Sequence, residues 1–430
     1  MQTKNFQRYF QFLLIVLAAG SIYPLIFLRS GYQETILQVF GLTPEQLNNI
    51  YSALGFAFMA GYFPSGWLAD RFSTKKLLFI SLLICGLAGL WFAQIPSHSI
   101  VIIIFIIWGT FSVFTFWAAH LRIVKLLTRE GEEGRFFGIL DGGRGVVEAG
   151  LATIAMYIFA SVSNNAEMGT TMALQGVIYL YSFFMIGISV LVLLFVQDGS
   201  KSAEDGNTDK EKTSINEVLR IFISDLRKLM VNKYVWLMGF IICMSYAVYW
   251  TIFYVGGFLQ TNISVDAIRV AQVMVVSLWM RPVGGVLGGF LADKFNKNIV
   301  LAIALAFASA SLVALAIVPV VAPQFFFEAM IICFSLMIFI VRGIYWALLG
   351  DCKIPTPVLG LAIGFISFLA YLPDILTPIS STVLLNIFGE TTGQNAFFIF
   401  SAVLGAVGII LTFIFDKALK CEKSQQERLS

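Results

Sequence analysis

Four arginines interrupt otherwise apolar stretches of this sequence: Arg29, Arg122, Arg281 and Arg342. A guanidinium group stays charged and presents a planar fork of donors that matches the oxygens of a carboxylate, a phosphate or a sulfonate. A charge inside a membrane is costly unless it is paired or hydrated. Each arginine therefore either binds an anion in a water-filled cavity or pairs with an acid on a neighbouring helix. The positions favour anion binding for Arg281 and Arg342, leave both alternatives open for Arg29, and favour a structural role for Arg122.

Asp141, Arg144 and Glu148 form a second charged group, because their spacing places them on one face of a helix. Three charges on one stripe face protein or a water-filled cavity rather than lipid. Glu148 lies beside an arginine and is expected to be partly withdrawn from water, which makes it a candidate proton carrier. A self-neutralising structural cluster is the alternative for the group. Asp141, nearer the end of its helix, is expected to be structural.

Asp374 is a second candidate proton carrier. It follows Pro373 and precedes Pro378, so the helix is expected to be broken around it. Broken helix at membrane depth survives only where it is buried or lines a cavity. The alternative, which these residues favour slightly, is a structural pairing of Asp374 with an arginine.

Four aromatic residues share one predicted helical face: Tyr246, Tyr249, Trp250 and Tyr254. Aromatic rings that carry a polar group can stack on a sugar ring and donate hydrogen bonds to its oxygens. Ordinary helix packing is the alternative. Together with the arginines, Tyr246, Tyr249 and Trp250 predict a binding site for an anionic, sugar-like solute.

Membrane-spanning helices must position these side chains. Of the 430 residues, 58% are hydrophobic and 12% are charged, whereas soluble domains average about 25% charged residues. A helical span needs about 20 apolar residues, and twelve runs of that kind can be placed. They cover 9–30, 46–69, 77–95, 99–127, 135–160, 172–196, 233–258, 266–291, 298–319, 324–350, 357–386 and 394–416.

A polar segment, 197–230, divides the twelve runs into two sets of six. Its first part is charged and predicted to be flexible, and residues 214–230 read as an amphipathic helix on the membrane surface. The predicted domains are a first bundle over 1–196, this linker, a second bundle over 231–416 and a tail over 417–430. Most of the 28 Lys and Arg residues fall on the side of the termini, so the positive-inside rule predicts cytoplasmic N and C termini.

Several classes of function are excluded by what the sequence lacks. It has no P-loop, no HExxH or GxSxG motif and no cluster of His with acidic residues, so an enzyme is not expected. The five cysteines have no regular spacing and there are two histidines, so neither disulfides nor a metal site is expected. A net charge of +3 gives no reason to expect nucleic-acid binding, and no cofactor is predicted.

The motif Gly-x-Leu-Ala-Asp-Arg/Lys occurs twice at matching places. One copy runs from Gly66 through Asp70 to Arg71 after the second span, and the other begins at Gly289 and contains Asp293 after the eighth. This doubled motif, the twelve spans and the long central loop resemble the major facilitator superfamily. The segment 134–145 resembles a small group of bacterial inner-membrane permeases in that superfamily. The first copy departs from the family pattern, because Ser73 and Thr74 stand where Gly-Arg is usual.

The resemblance implies an all-α membrane protein of two pseudo-symmetric six-helix bundles, which works as a monomer. Spans 1, 4, 7 and 10 would line a central cavity and spans 2, 5, 8 and 11 would flank it. The motif residues named above would then gate the cavity, with small residues allowing close helix approach and Asp70 latching the two halves on the inner side.

The sequence therefore predicts a secondary active transporter of the bacterial inner membrane that works by alternating access. The predicted solute is a small organic anion, such as a sugar acid, a carboxylate, or a phosphate or sulfonate ester. Proton symport is the predicted coupling. Two alternatives stay open: an exporter of hydrophobic drugs in the same fold, and a transporter-like membrane sensor that binds a ligand without moving it.

Overall fold

The chain folds almost entirely into helices, as its composition predicts. The computed structural model describes residues 2–128, 133–163, 169–197, 229–354 and 359–429, together with Ser224 and Arg227. Within that part there are sixteen α-helices and no strand. They are α1 Gln2–Ser21, α2 Arg29–Phe40, α3 Pro44–Arg71, α4 Thr74–Phe92, α5 His98–Thr110, α6 Trp117–Leu127, α7 Glu133–Ser163, α8 Gly169–Phe195, α9 Lys233–Trp250, α10 Val255–Thr261, α11 Ala267–Lys294, α12 Lys297–Ile317, α13 Gln324–Ile344, α14 Leu359–Ala370, α15 Pro373–Phe388 and α16 Glu390–Leu429.

These helices make twelve membrane crossings. Ten stretches are long and apolar enough to span a bilayer, and the other two crossings are α1 with α2, and α3. Six crossings precede the central segment and six follow it, which confirms the predicted all-α fold of two six-helix bundles. The predicted linker helix over 214–230 falls almost entirely outside the described residues. The predicted tail continues α16 as far as Leu429.

Several crossings are interrupted, and four of them are the crossings expected to line a cavity. A turn over residues 22–28, which contains Pro24, separates α1 from α2. The first crossing therefore runs on to Phe40 instead of ending near residue 30. A π-helix at Phe111–Thr115 and 3-10 turns at Thr251–Phe253 and Tyr345–Asp351 interrupt crossings 4, 7 and 10. Such breaks are frequent at functional sites.

Side-chain caps fix where the helices begin. Thr43 forms a capping box with Gln46 at the start of α3, and Asp266 accepts a hydrogen bond from the Arg269 amide at the start of α11. These caps satisfy backbone donors that a helix start leaves free. The turns at 41–43, 93–97, 262–266 and 318–323 lie at one face of the molecule, here called the loop face. The N-terminus and the turns at 72–73 and 295–296 lie at the other, here called the terminal face.

The bundles meet closely on the side of the loop face. There α2 packs on α10 and α3 packs on α15. A methyl group added to Gly256 would run into the Ser30 carbonyl, and one added to Gly55 would run into the Asp374 carbonyl. These two glycines therefore allow helix backbones of opposite bundles to touch, and the molecule is closed towards the loop face.

The small residues around the doubled motif meet the expectation of close approach in part. A methyl group added to Gly61 would press against Phe114, and one added to Gly284 or Gly288 would run into the backbone of α13, so these glycines allow close helix approach. One added to Gly66 or Gly289 would meet no atom of the described residues within 4 Å. The side chains of Asp70 and Arg71 lie outside the described part of the chain, and that of Asp293 is exposed.

Candidate functional site

A central cavity of about 120 Å³ lies between the two bundles. Crossings 1, 2, 4, 5, 7, 8, 10 and 11 all contribute to its wall, together with Tyr181 of crossing 6. Aromatic rings make up much of the lining, and Phe27 stacks on Phe253 across the bundles at 4.5 Å on its loop-face side. The tyrosines that line it include Tyr23, Tyr62, Tyr181, Tyr246, Tyr249 and Tyr371. The predicted pair Tyr246 and Tyr249 thus lies in the cavity wall.

Four charged side chains line the same cavity: Arg144, Glu148, Arg281 and Arg342. Arg144 and Glu148 come from α7 in the first bundle, and the other two come from α11 and α13 in the second. Three cations and one acid leave the wall with an excess of positive charge. The cavity is therefore suited electrostatically to an anion.

Glu148 is clamped between two arginines. Arg144 Nε lies 3.0 Å from Glu148 Oε1 within α7. Arg281 donates from Nη1 to Glu148 Oε2 across the bundle interface, and its Nη2 lies 3.7 Å from Asp141 Oδ1. Arg281, Glu148 and Asp141 therefore join the two bundles electrostatically. Arg281 still lines the cavity, but an anionic solute would have to compete with Glu148 for it.

Arg342 is bound differently from the other cavity arginines. Its guanidinium carbon lies 4.1 Å from the centre of the Tyr249 ring and 5.7 Å from that of Tyr246. Among the described residues no acid lies within 4.0 Å of it. The two phenol rings stabilise the cation and fix its plane. They carry no negative charge, so no ion pair within the described residues neutralises Arg342.

Asp374 is a buried carboxyl group with little polar support. It is 1% exposed and accepts a hydrogen bond from Trp250 Nε1 at 2.8 Å. Tyr246 is its other polar neighbour, and no described group makes a hydrogen bond of standard geometry to its second oxygen. Asp374 is the second residue of α15, directly after the break at 371–372, as Pro373 predicts. Trp250, predicted to bind solute, instead donates to this carboxyl group and is 1% exposed.

The other two arginines lie outside the cavity wall. Arg122 donates from Nη1 to the Ala69 carbonyl of α3, which agrees with a structural role. Arg29 is 2% exposed and bonds to amide oxygens of Gln33 and Asn48. It lines a second, much smaller pocket near the loop face.

The sequence analysis missed five cavity tyrosines: Tyr23, Tyr32, Tyr62, Tyr181 and Tyr371. Tyr62 of the first bundle stacks on Tyr371 of the second, with ring centres 5.4 Å apart. Two of the five could have been found, because Tyr23 directly precedes Pro24 and Tyr371 lies two residues before Pro373. Nothing in the sequence distinguishes the other three from packing residues.

Comparisons with known proteins agree with this architecture. The chain matches the family model for the Major Facilitator Superfamily over residues 9–378. It is 24% identical to Inner membrane protein YqcE of Escherichia coli (strain K12), covering 99% of this chain and 98% of that one. It is 23% identical to the Probable galactarate/D-glucarate transporter GudP of the same organism, covering 82% and 81%. A crystal structure of the nucleoside transporter NupG superposes with a TM-score of 0.73 at 13% identity, covering 95% of this chain and 99% of that one.

Proposed function

This chain belongs to the Major Facilitator Superfamily, whose members transport small solutes across membranes, and on that premise we propose that it carries a small organic anion across the bacterial inner membrane. A sugar acid, a carboxylate, or a phosphate or sulfonate ester would fit. Transport would proceed by alternating access of the two bundles to the central cavity. The termini are proposed to be cytoplasmic, and the protein is proposed to work as a monomer.

The observation that supports an anionic substrate is the environment of Arg342. A cation that lines a cavity without an acidic partner is costly to bury, and an anion that enters the cavity relieves that cost. Its planar fork would take two oxygens of a carboxylate or a phosphate. The rings of Tyr246 and Tyr249 hold it in place, and phenol hydroxyls in the wall suit a polyhydroxylated solute. The name of the relative GudP, which refers to two sugar acids, supports the same class.

The proposed proton coupling is based on the two ion pairs of Glu148. While Glu148 is ionised, it occupies Arg144 and Arg281. A proton on Glu148 weakens both ion pairs, and Arg281 then becomes available to the anionic solute. Proton and anion would therefore enter together, which is symport. Asp374, buried with little polar support, is the second proposed carrier.

Uptake into proteoliposomes tests the anionic substrate. Radiolabelled galactarate is the first probe, followed by a panel of sugar acids and phosphate esters. For a solute that is transported, Arg342→Gln should lower uptake about 10–100-fold, because a charge-assisted hydrogen bond is lost. Arg269→Gln is the matched control, since Arg269 pairs with Glu328 away from the cavity. Normal uptake by Arg342→Gln would overturn the proposal.

The aromatic wall favours one other function, export of hydrophobic cations or neutral drugs. Such a solute would stack on Tyr62, Tyr371 and their neighbours without needing an arginine. Arg342→Gln would then leave transport intact or improve it, because a repelling charge is removed. The same variant therefore separates the two functions.

A further inference from the structure

A second pocket, on the loop-face side of the cavity, surrounds Arg29. Its volume is about 10 Å³, which is room for one particle of the size of a water molecule. Arg29, Gln33 and Asn48 come from the first bundle, and Tyr254, Ser381 and Gln394 come from the second. The pocket therefore exists only while the bundles are closed at this face.

Among the described residues, no acid forms an ion pair with Arg29. Its Nε and Nη2 donate to Gln33 Oε1 at 3.2 and 2.7 Å, and its Nη1 donates to Asn48 Oδ1 at 3.0 Å. The Tyr254 hydroxyl is a further hydrogen-bond partner. All of these partners are neutral groups. The nearby acid Glu34 accepts from Gln33 Nε2 and attracts Arg29 only at longer range.

The surroundings suit a cation together with a small anion. The Arg29 guanidinium lies between the rings of Tyr254, at 4.0 Å, and Tyr51, at 4.9 Å. A fully buried charge without a counter-charge is strongly unfavourable. The hydroxyl of Ser381 and the amide of Gln394 also line the pocket. The Gln394 oxygen has no hydrogen-bond partner in the described part of the chain, so rotating that amide would turn its NH₂ group to where the oxygen now lies.

We propose that Arg29 binds a single halide ion, chloride in the cell, between the two bundles at the loop face. The pocket is too small for a carboxylate or a phosphate, so this site is distinct from the solute site in the central cavity. Because both bundles line the pocket, the ion stabilises the conformation that is closed at the loop face and shifts the population towards it. The ion site itself does not depend on the proposed solute.

The test compares thermal unfolding of the purified full-length protein in chloride, in bromide and in the bulkier methanesulfonate at equal ionic strength. We expect chloride and bromide to raise the unfolding temperature by about 3 °C, since a bound ligand stabilises by mass action. Arg342→Gln should keep the full shift, because it removes the cavity site alone. Equal unfolding temperatures in the three salts would overturn the proposal.

Asn48→Asp is the decisive variant, because it places a carboxylate beside Arg29 in place of the ion. We expect it to lose the halide shift and, in methanesulfonate, to be at least as stable as the unsubstituted protein in chloride. Retention of the shift would contradict the site. If Asn48→Asp does not fold, Gln33→Glu carries the same expectation. Retention of radiolabelled chloride by the unsubstituted protein measures the site without a variant, and no retention would refute it.

Discussion

The central cavity and the loop-face contact lie between the same two bundles, yet side chains bridge the first and backbone contacts close the second. In the cavity, the contact across the bundles is made by side chains, such as the bond from Arg281 to Glu148. At the loop face, glycines let backbones touch, as Gly256 does against Ser30. From this difference we expect solute affinity to depend on the charges of the cavity and the conformational equilibrium to depend on the close packing at the loop face.

The largest effect is expected when the cavity loses the arginine that joins the bundles. Arg281→Ala should abolish uptake while the protein still inserts into the membrane, because it removes one anion ligand and frees Glu148 from its cross-bundle partner. Proteoliposome uptake and membrane yield measure the two properties. Arg122→Ala, outside the cavity wall, is the comparison variant. Normal uptake by Arg281→Ala would mean that cavity charge does not govern transport.

The next largest effect is expected on proton coupling, which a substitution at Glu148 should separate from solute binding. Glu148→Gln mimics a protonated acid, so the anion can enter without a proton. We expect counterflow exchange to persist while accumulation driven by a pH gradient is lost. Asp374→Asn is tested in parallel. If Glu148→Gln still accumulates solute and Asp374→Asn does not, the proton carrier is Asp374.

A smaller effect is expected at the loop face. Gly256→Ala would push a methyl group against the Ser30 carbonyl, and overpacking of this kind costs about 1–3 kcal/mol. The population open at the loop face should rise roughly tenfold, with solute affinity per open site unchanged. Alkylation of a cysteine placed at Ser381, in a cysteine-free background, measures that population. Unchanged alkylation would show that backbone contact does not set the equilibrium.

The smallest effect is expected at Gly66. An added methyl group meets no atom of the described residues within 4 Å there, and alanine favours a helix over glycine by about 1 kcal/mol. Gly66→Ala should therefore unfold at the same temperature as the unsubstituted protein or slightly higher, with solute binding intact. A clear loss of stability would show that α3 is closely packed at Gly66 after all.

The sequence predicted the fold well and the cavity in part. Hydropathy alone places the crossings, because each must satisfy its backbone within lipid. The crossings that the family resemblance assigns to the cavity carry Arg281, Arg342, Tyr246 and Tyr249, and these side chains do lie in the cavity wall. The sequence could not foresee the pairing of Arg281 with Glu148, since that bond depends on how helices of two different bundles are rotated and how far apart they lie.

The predicted aromatic face on crossing 7 shows why helical periodicity alone does not predict which side chains face the cavity. Tyr246 and Tyr249 follow the α-helical repeat and face the cavity. The 3-10 turn at Thr251–Phe253 then changes the rotation per residue, and Tyr254 lines the loop-face pocket instead. Trp250, at the end of α9, is turned to Asp374. A break in a helix therefore divides one predicted face between two sites.

The most direct test of the central claim is a measurement of thermal stabilisation by a panel of small anions and neutral sugars. It would use the unsubstituted protein and Arg342→Gln side by side. The account predicts that at least one organic anion stabilises the unsubstituted protein and that Arg342→Gln loses this stabilisation. Stabilisation by neutral or lipophilic compounds alone, or equal stabilisation of both proteins by the anion, would contradict an anion site at Arg342.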